Sequence, residues 1–253
     1  MSIDSVEDFV DETFRSSSSG AFGDLGIPAF LMALQWGDST LPVGSFSFSN
    51  GLETAVQLGA VHNPQTLEEF IKTAVEQAAT SEGIALLEAH RAMLAGDFDR
   101  IATADQALHQ RRMNEEVRLM STRMGRKLAE IALYLSPEQP ILTEWLVRVK
   151  SGDLPGNYAV MQGAVFASKQ LPEQTAFSIH QYGVASMMVG ASLRILKMNY
   201  LDGQKILLRL SKLAESSYRQ VKERSLDDMA SYAPMMDIFA GIHVKSKVRM
   251  FMN

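Results

Sequence analysis

PQTLEEFIKTAVEQA, residues 64–78, places Leu67, Phe70, Ile71, Ala74, Val75 and Ala78 at i, i+3, i+4, i+7, i+8 and i+11. That spacing lines one face of an α-helix with apolar side chains, and Thr66 with Glu69 reads as a T-x-x-E capping box at its start. Working outward, Val117, Met120, Met124, Leu128, Ile131 and Leu135 form a second stripe, with Arg118, Arg123, Arg126 and Lys127 on or beside the other face. A third, Phe177, His180, Val184, Met187, Met188, Ala191 and Ile195, also has Tyr182, Ala185 and Val189 on its far side, so it predicts a central helix, apolar nearly all round. Asp202 is expected to cap a further helix carrying Ile206, Leu210, Leu213 and Val221. No run of β-branched alternation bounded by hairpin turns occurs, and prolines are confined to a few breaks. The expectation is an all-α, single-domain bundle of roughly eight to ten helices.

The chain has 253 residues, 46% apolar and 21% charged, enough to bury a substantial core. Its net charge of -5 offers no attraction for nucleic acid. Cysteine is absent, which excludes disulfides, thiolate nucleophiles and Cys-ligated metals. Residues 1–15 carry five acids against one arginine, the reverse of a secretory signal, and the uncharged run Gln174–Leu193 holds too many polar groups for a lipid interior, so a cytoplasmic protein with no membrane contact is expected. Residues 1–26, acidic and then Ser-rich, are too poor in apolar side chains to order by themselves and are expected to be a mobile tail. Residues 27–236 form the helical domain. Residues 237–253, basic and apolar after Asp237, are expected to be a partner-binding tail.

The chemistry these residues support is limited. No G-x-x-x-x-G-K-S/T phosphate cradle and no G-x-S-x-G elbow is present. The five histidines, His62, His90, His109, His180 and His243, are scattered. Asp105 and His109 share a helix face as either metal ligands or an ordinary surface contact, and His180 lies in an apolar stripe where a hydrogen-bonded core histidine is expected. Glu115–Glu116, adjacent in sequence, point apart and read as a solvated face. No catalytic constellation, metal site or cofactor site emerges, which favours a binding or scaffold protein. The alternative is a helical-bundle enzyme or small-ligand binder with a polar pocket around His180.

Two segments are unusual for a plain bundle. Asp38–Glu53, DSTLPVGSFSFSNGLE, mixes glycines and hydroxyl residues with Phe46 and Phe48, either as a core loop or as a partner-binding loop that presents those rings. Arg118–Leu128 places Gly125 inside a helix, which costs about 1 kcal/mol against alanine and implies close packing.

Together with the tail, these segments resemble the urease accessory protein F family. The family pattern D-S-x-L-P-x-G-S/G-F/Y-S-H/F/W-S-x-G-L-E is matched throughout Asp38–Glu53, and R-x-x-S/T-x-x-x-G-x-x-L/F is similar to Arg118–Leu128. Gly156–Asn157–Tyr158–Ala159, Gly163 and Gly203–Gln204 resemble a third block. At the end, Pro234, Asp237, Ile238, His243, Arg249 and Phe251 keep places of P-x-x-D/A-I-x-S-x-R-H-E-x-x-x-x-R-L-F, while Gly241–Val244 departs from it; Phe48 and Asn157 stand where many members carry histidine. The resemblance implies a homodimeric helical protein that binds accessory protein D (H in some organisms) and recruits the GTPase, accessory protein G, and through that complex the urease apoprotein. On this reading Phe46, Phe48, Glu53, Arg123, Arg126, Asp237, His243, Arg249 and Phe251 are the candidate partner-binding residues, with the tail ordering against protein D.

Overall fold

A computed structural model describes residues 25–45, 48–112, 114–245 and 250–251, with 244 and 245 by backbone alone. The 64–78 stripe forms helix α3 (Pro64–Ala78), burying Leu67, Ile71, Ala74, Val75 and Ala78. Its cap differs from expectation. Asn63 is the N-cap, its Oδ1 accepting from the Thr66 amide at 2.9 Å while the Thr66 hydroxyl accepts from the Asn63 amide at 3.2 Å. Asparagine before an N1 proline outcompetes Thr66, because the ring already fixes the first helical φ and its missing N–H needs no partner.

The other α-helices are α1 (Ile27–Gly37), α2 (Leu52–Gln57), α4 (Ile84–Ala95), α5 (Phe98–Arg111), α6 (Glu115–Leu135), α7 (Pro140–Ser151), α8 (Tyr158–Ser168), α9 (Glu173–Ile195), α10 (Tyr200–Ser211), α11 (Leu213–Val221) and α12 (Pro234–Lys245). No strand occurs among the described residues, and the class is all-α as expected. One π-turn, Ala79–Gly83, joins α3 to α4, with the Ser81 hydroxyl donating back to the Gln77 carbonyl at 2.8 Å. Among the described residues no helix is long and apolar enough to cross a membrane.

Helix α9 is central, packing against α1, α2, α3, α4, α8, α10 and α11, as its all-round apolar character requires. Closest approaches occur at glycines. A Cβ on Gly163 of α8 would overlap the Leu86 carbonyl of α4, and one on Gly125 of α6 would overlap the Gly156 carbonyl. The buried face of α6 is consequently the small-residue one, Ser121, Met124, Gly125, Leu128, Ala129 and Ala132, and Leu135 at the end of the expected stripe is exposed. Asn199, rather than Asp202, caps α10, its Oδ1 accepting from the Leu201 amide at 3.0 Å; Asp202 sits in the first turn.

The core has two clusters. One lies among α4 to α8 and includes Leu86, Ile101, Leu128, Trp145 and Phe166; the other gathers Leu52, Ile71, Met188, Ile206, Phe239 and Phe251. The expected boundary after residue 236 falls inside α12, which begins at Pro234 and packs on α2 and α6. Residues 237–245 therefore belong to the helical body, because Met236, Phe239 and Ala240 are buried in it.

Candidate functional site: a carboxylate–imidazole latch under the C-terminal segment

The loop that carries the D-S-x-L-P-like text turns into α2 through Asn50 (φ 50°) and Gly51 (φ 80°). Gly51 is needed twice over: its left-handed φ suits glycine, and an added Cβ would come within 3.0 Å of the Ala240 amide nitrogen of α12. This close approach brings α12 across the start of α2, where Glu53 is buried. Across from it stands Glu116, in the first turn of α6, where the N-terminal end of the helix dipole favours a carboxylate. Asn114 caps that helix through Oδ1 and donates its Nδ2 to the Asp237 carbonyl at 3.4 Å, tying α6 to α12.

His243 lies between the two acids, fully buried. Its Nε2 is 2.9 Å from Glu53 Oε2, and its Nδ1 is 3.1 and 3.2 Å from the two Glu116 oxygens. Each contact needs a proton: the first on Nε2, the second on Nδ1 or on the Glu116 carboxyl. Glu53 also accepts from the Met250 amide at 2.9 Å and the Phe251 amide at 3.3 Å. Burial works to raise the Glu53 carboxyl, but the Met250 amide, His243 and the Phe251 amide outweigh it and hold the group below its ordinary value. The Phe251 ring is buried with Leu52 and Met188, and the Arg194 guanidinium lies 4.2 Å from its centroid. One carboxylate thus pins the end of the described chain to the loop-proximal turn of α2.

The expected site residues separate accordingly. Glu53, Asp237, His243 and Phe251 meet at this corner. Phe46 and Arg249 lie outside the described residues. Phe48 is buried. His243 and Phe251, expected as anchors for protein D, are buried within this chain, His243 against two carboxylates and Phe251 in an apolar cluster. Arg123 and Arg126 are exposed on α6, with Arg126 Nε 3.2 Å from Glu130. Glu116 was hidden in sequence: of the pair read as a solvated face only Glu115 is exposed, and a 127-residue separation from His243 leaves no local signal.

Asp105 is not the surface contact that was one of its two readings. It is buried and accepts from the Gly156 and Asn157 amides at 2.9 and 2.8 Å, holding the turn that receives Gly125. Burial raises its carboxyl, opposed by those donors. Among the described residues no group of three or more His, Asp or Glu side chains is placed to hold a metal ion.

A cavity of about 170 Å³ opens beside the latch, lined among others by Glu82, Arg112, Tyr158, Gln162, His180 and Asp237. Glu82 pairs with Arg112 at 2.9 Å. His180 is the hydrogen-bonded core histidine expected: Nδ1–H donates to Gln162 Oε1 at 2.8 Å, and burial pushes the ring down to about 4, so it is neutral at physiological pH.

The family model named UreF matches residues 61–211. The proteins named urease accessory protein UreF 2 from Brucella canis and Brucella abortus are each 47% identical over 227 residues, covering 90% of this chain and 93% of theirs. Urease accessory protein UreF from Yersinia pseudotuberculosis is 42% identical over 220 residues, covering 87% of this chain and 96% of its own. The chain belongs to the UreF family. Within this UreF chain, the matched segment contains Glu116 and the cavity residues Glu82, Arg112 and His180, whereas Glu53, His243 and Phe251 lie outside it. The latch joins one helix of the UreF match to segments on both sides of it.

Proposed function

We propose that this chain is a cytoplasmic urease accessory protein: a homodimeric scaffold that binds accessory protein D (H) and, through that complex, brings the GTPase G to urease apoprotein for nickel insertion, modulating the GTPase. The observation that carries the reading is 47% identity to proteins named urease accessory protein UreF 2 over nine-tenths of the chain. A non-catalytic role agrees with the site, where the acids and imidazole of the latch are consumed in holding one another. On this reading nickel is cargo and the nucleotide chemistry belongs to G.

The latch suits partner binding by positioning rather than by insertion. It fixes α12 so that Met235, Ile238 and Ile242, three to four residues apart, lie exposed along one side. These side chains are the apolar anchors assigned here to protein D. The test is copurification of the full chain with D, then addition of G and GTP, followed by light scattering. A dimer that enlarges with each partner is expected, and I238D/I242D is expected to abolish the D complex while keeping the helical circular dichroism. Retention of D by that folded variant, or by a chain truncated after Asp237, would overturn the assignment.

A further inference from the structure

Two glycines of the central helix α9 are not where packing needs them. Gly125 and Gly163 sit where a Cβ would overlap a neighbouring carbonyl, but Gly183 and Gly190 have nothing within 4 Å of that position. Glycine is less favourable than alanine inside a helix, so what these two contribute is the space they leave. Both line the cavity of about 170 Å³ that α9 shares with α3, α6, α8 and α12, and with Ser186 and Met187 they make up one side of it.

The other sides are largely apolar but carry an imbalance of charge. Met120, Met124 and Met236 supply adaptable walls, and Tyr158 an aromatic ring. Among the described residues, the lining acids are Asp38, Glu82 and Asp237, and the one cationic side chain is Arg112. Arg112 is already engaged: its Nη2 donates to Glu82 at 2.9 Å and its Nη1 to the Val117 carbonyl at 3.2 Å. No cation among the described residues faces Asp237. Its side chain is half-buried, and burial first, then the neighbouring Glu82 charge, pushes its carboxyl above the ordinary value. His180, 5% exposed, adds no positive charge: Nδ1–H is donated to Gln162, and Nε2 keeps a lone pair that no described group meets.

An ammonium group brings a positive charge, three N–H donors and no acceptor, which is what this wall of unmet acceptors lacks. The methionine- and glycine-lined remainder suits an apolar body of about one ring, since an apolar cavity of about 150 Å³ accepts benzene. A metal ion is a poorer match, because among the described residues no group of three or more His, Asp or Glu side chains is placed to hold one.

We propose that this cavity binds a small organic monocation, an aryl- or alkylammonium whose head pairs with Asp237 beside Glu82 and whose apolar body lies along the Gly183–Gly190 side of α9. The site stands independently of the urease reading.

The full chain, isotopically labelled for NMR, is titrated at neutral pH with benzylammonium, benzyl alcohol and benzoate, which share a ring and differ in the charge of the head. Benzylammonium is expected to shift the Gly183 and Gly190 amide resonances and to bind at least about tenfold more tightly than benzyl alcohol, with benzoate weaker still. D237N should reduce benzylammonium to the affinity of the alcohol. G183A/G190A should weaken benzylammonium at least about fivefold while the melting temperature stays level or rises, because the added methyl groups meet no atom of the protein and alanine favours the helix. Equal or tighter binding of the alcohol, or of benzoate, which the unpartnered Arg112 Nε would prefer, would overturn the proposal. So would undisturbed Gly183 and Gly190 resonances up to about 10 mM benzylammonium, unchanged affinity in either variant, or a falling melting temperature in G183A/G190A.

Discussion

Replacing Glu53 by glutamine removes one charge and converts one acceptor oxygen into a donor, with almost no change of shape. In the native latch Glu53 accepts from His243 Nε2 at 2.9 Å, from the Met250 amide at 2.9 Å and from the Phe251 amide at 3.3 Å. Glutamine retains one carbonyl oxygen, so at least one of these buried donors meets an NH2 group instead. Hydrogen bonds to a charged group contribute about 1.5–3 kcal/mol against about 0.5–1.5 for neutral ones, and an orphaned buried donor costs about 1–3 kcal/mol. Weakening two bonds and orphaning one donor sums to about 3–4 kcal/mol, or a factor of a few hundred in the equilibrium that opens the chain end. Amide hydrogen exchange resolved by NMR reads that equilibrium directly. The Met250 and Phe251 amides should exchange at least about 100-fold faster in E53Q, with α4 and α8 unaffected. E116Q, which touches His243 but neither amide, should accelerate them much less. Equal acceleration in both variants, or exchange in E53Q within threefold of the native rate, would show that the Glu53 carboxylate is not what holds this segment.

The same carboxylate makes the latch sensitive to acid. Because Glu53 is held below its ordinary 4.5, its stabilising contribution is complete above that value and is lost as pH falls through the lower folded value; the Phe251 ring resonances should be constant from neutral pH down to about 5 and shift towards random-coil positions only below about 4.5. A midpoint near neutrality would refute this. G125A, which drives a methyl group into the Gly156 carbonyl, should cost about 2–3 kcal/mol and lower the melting temperature by about 4–12 °C in calorimetry. D105N places an NH2 group against the Gly156 or Asn157 amide and should lower stability by about 1–3 kcal/mol in urea unfolding, with an unchanged denaturant slope.

The helical class was legible because burial of a stripe leaves a periodic trace: the 64–78 and 177–195 patterns both became helices, and the latter became the helix against which most others pack. Gly125 announced a close approach for the same local reason, since glycine in a helix is unfavourable unless something takes its space. Local competition blurred the ends. Asn63 displaced the Thr66–Glu69 box, and Asn199 displaced Asp202, because several cap-forming residues lay within one turn. Phe48 gave no warning of its burial, because an aromatic ring in a Gly/Ser loop reads the same whether it faces the core or a partner.

Local chemistry and helical period were thus determined by the sequence itself: an all-α protein without thiol chemistry or a phosphate cradle, whose D-S-x-L-P-like loop and closing residues resemble the UreF family. Which acids His243 meets was decided only by the tertiary structure. Glu53 is 190 residues away in sequence and Glu116 is 127, and neither spacing encodes contact. Those two carboxylates are buried because α2, α6 and α12 converge over Gly51, and a buried charge persists only where packing delivers its hydrogen-bond partners.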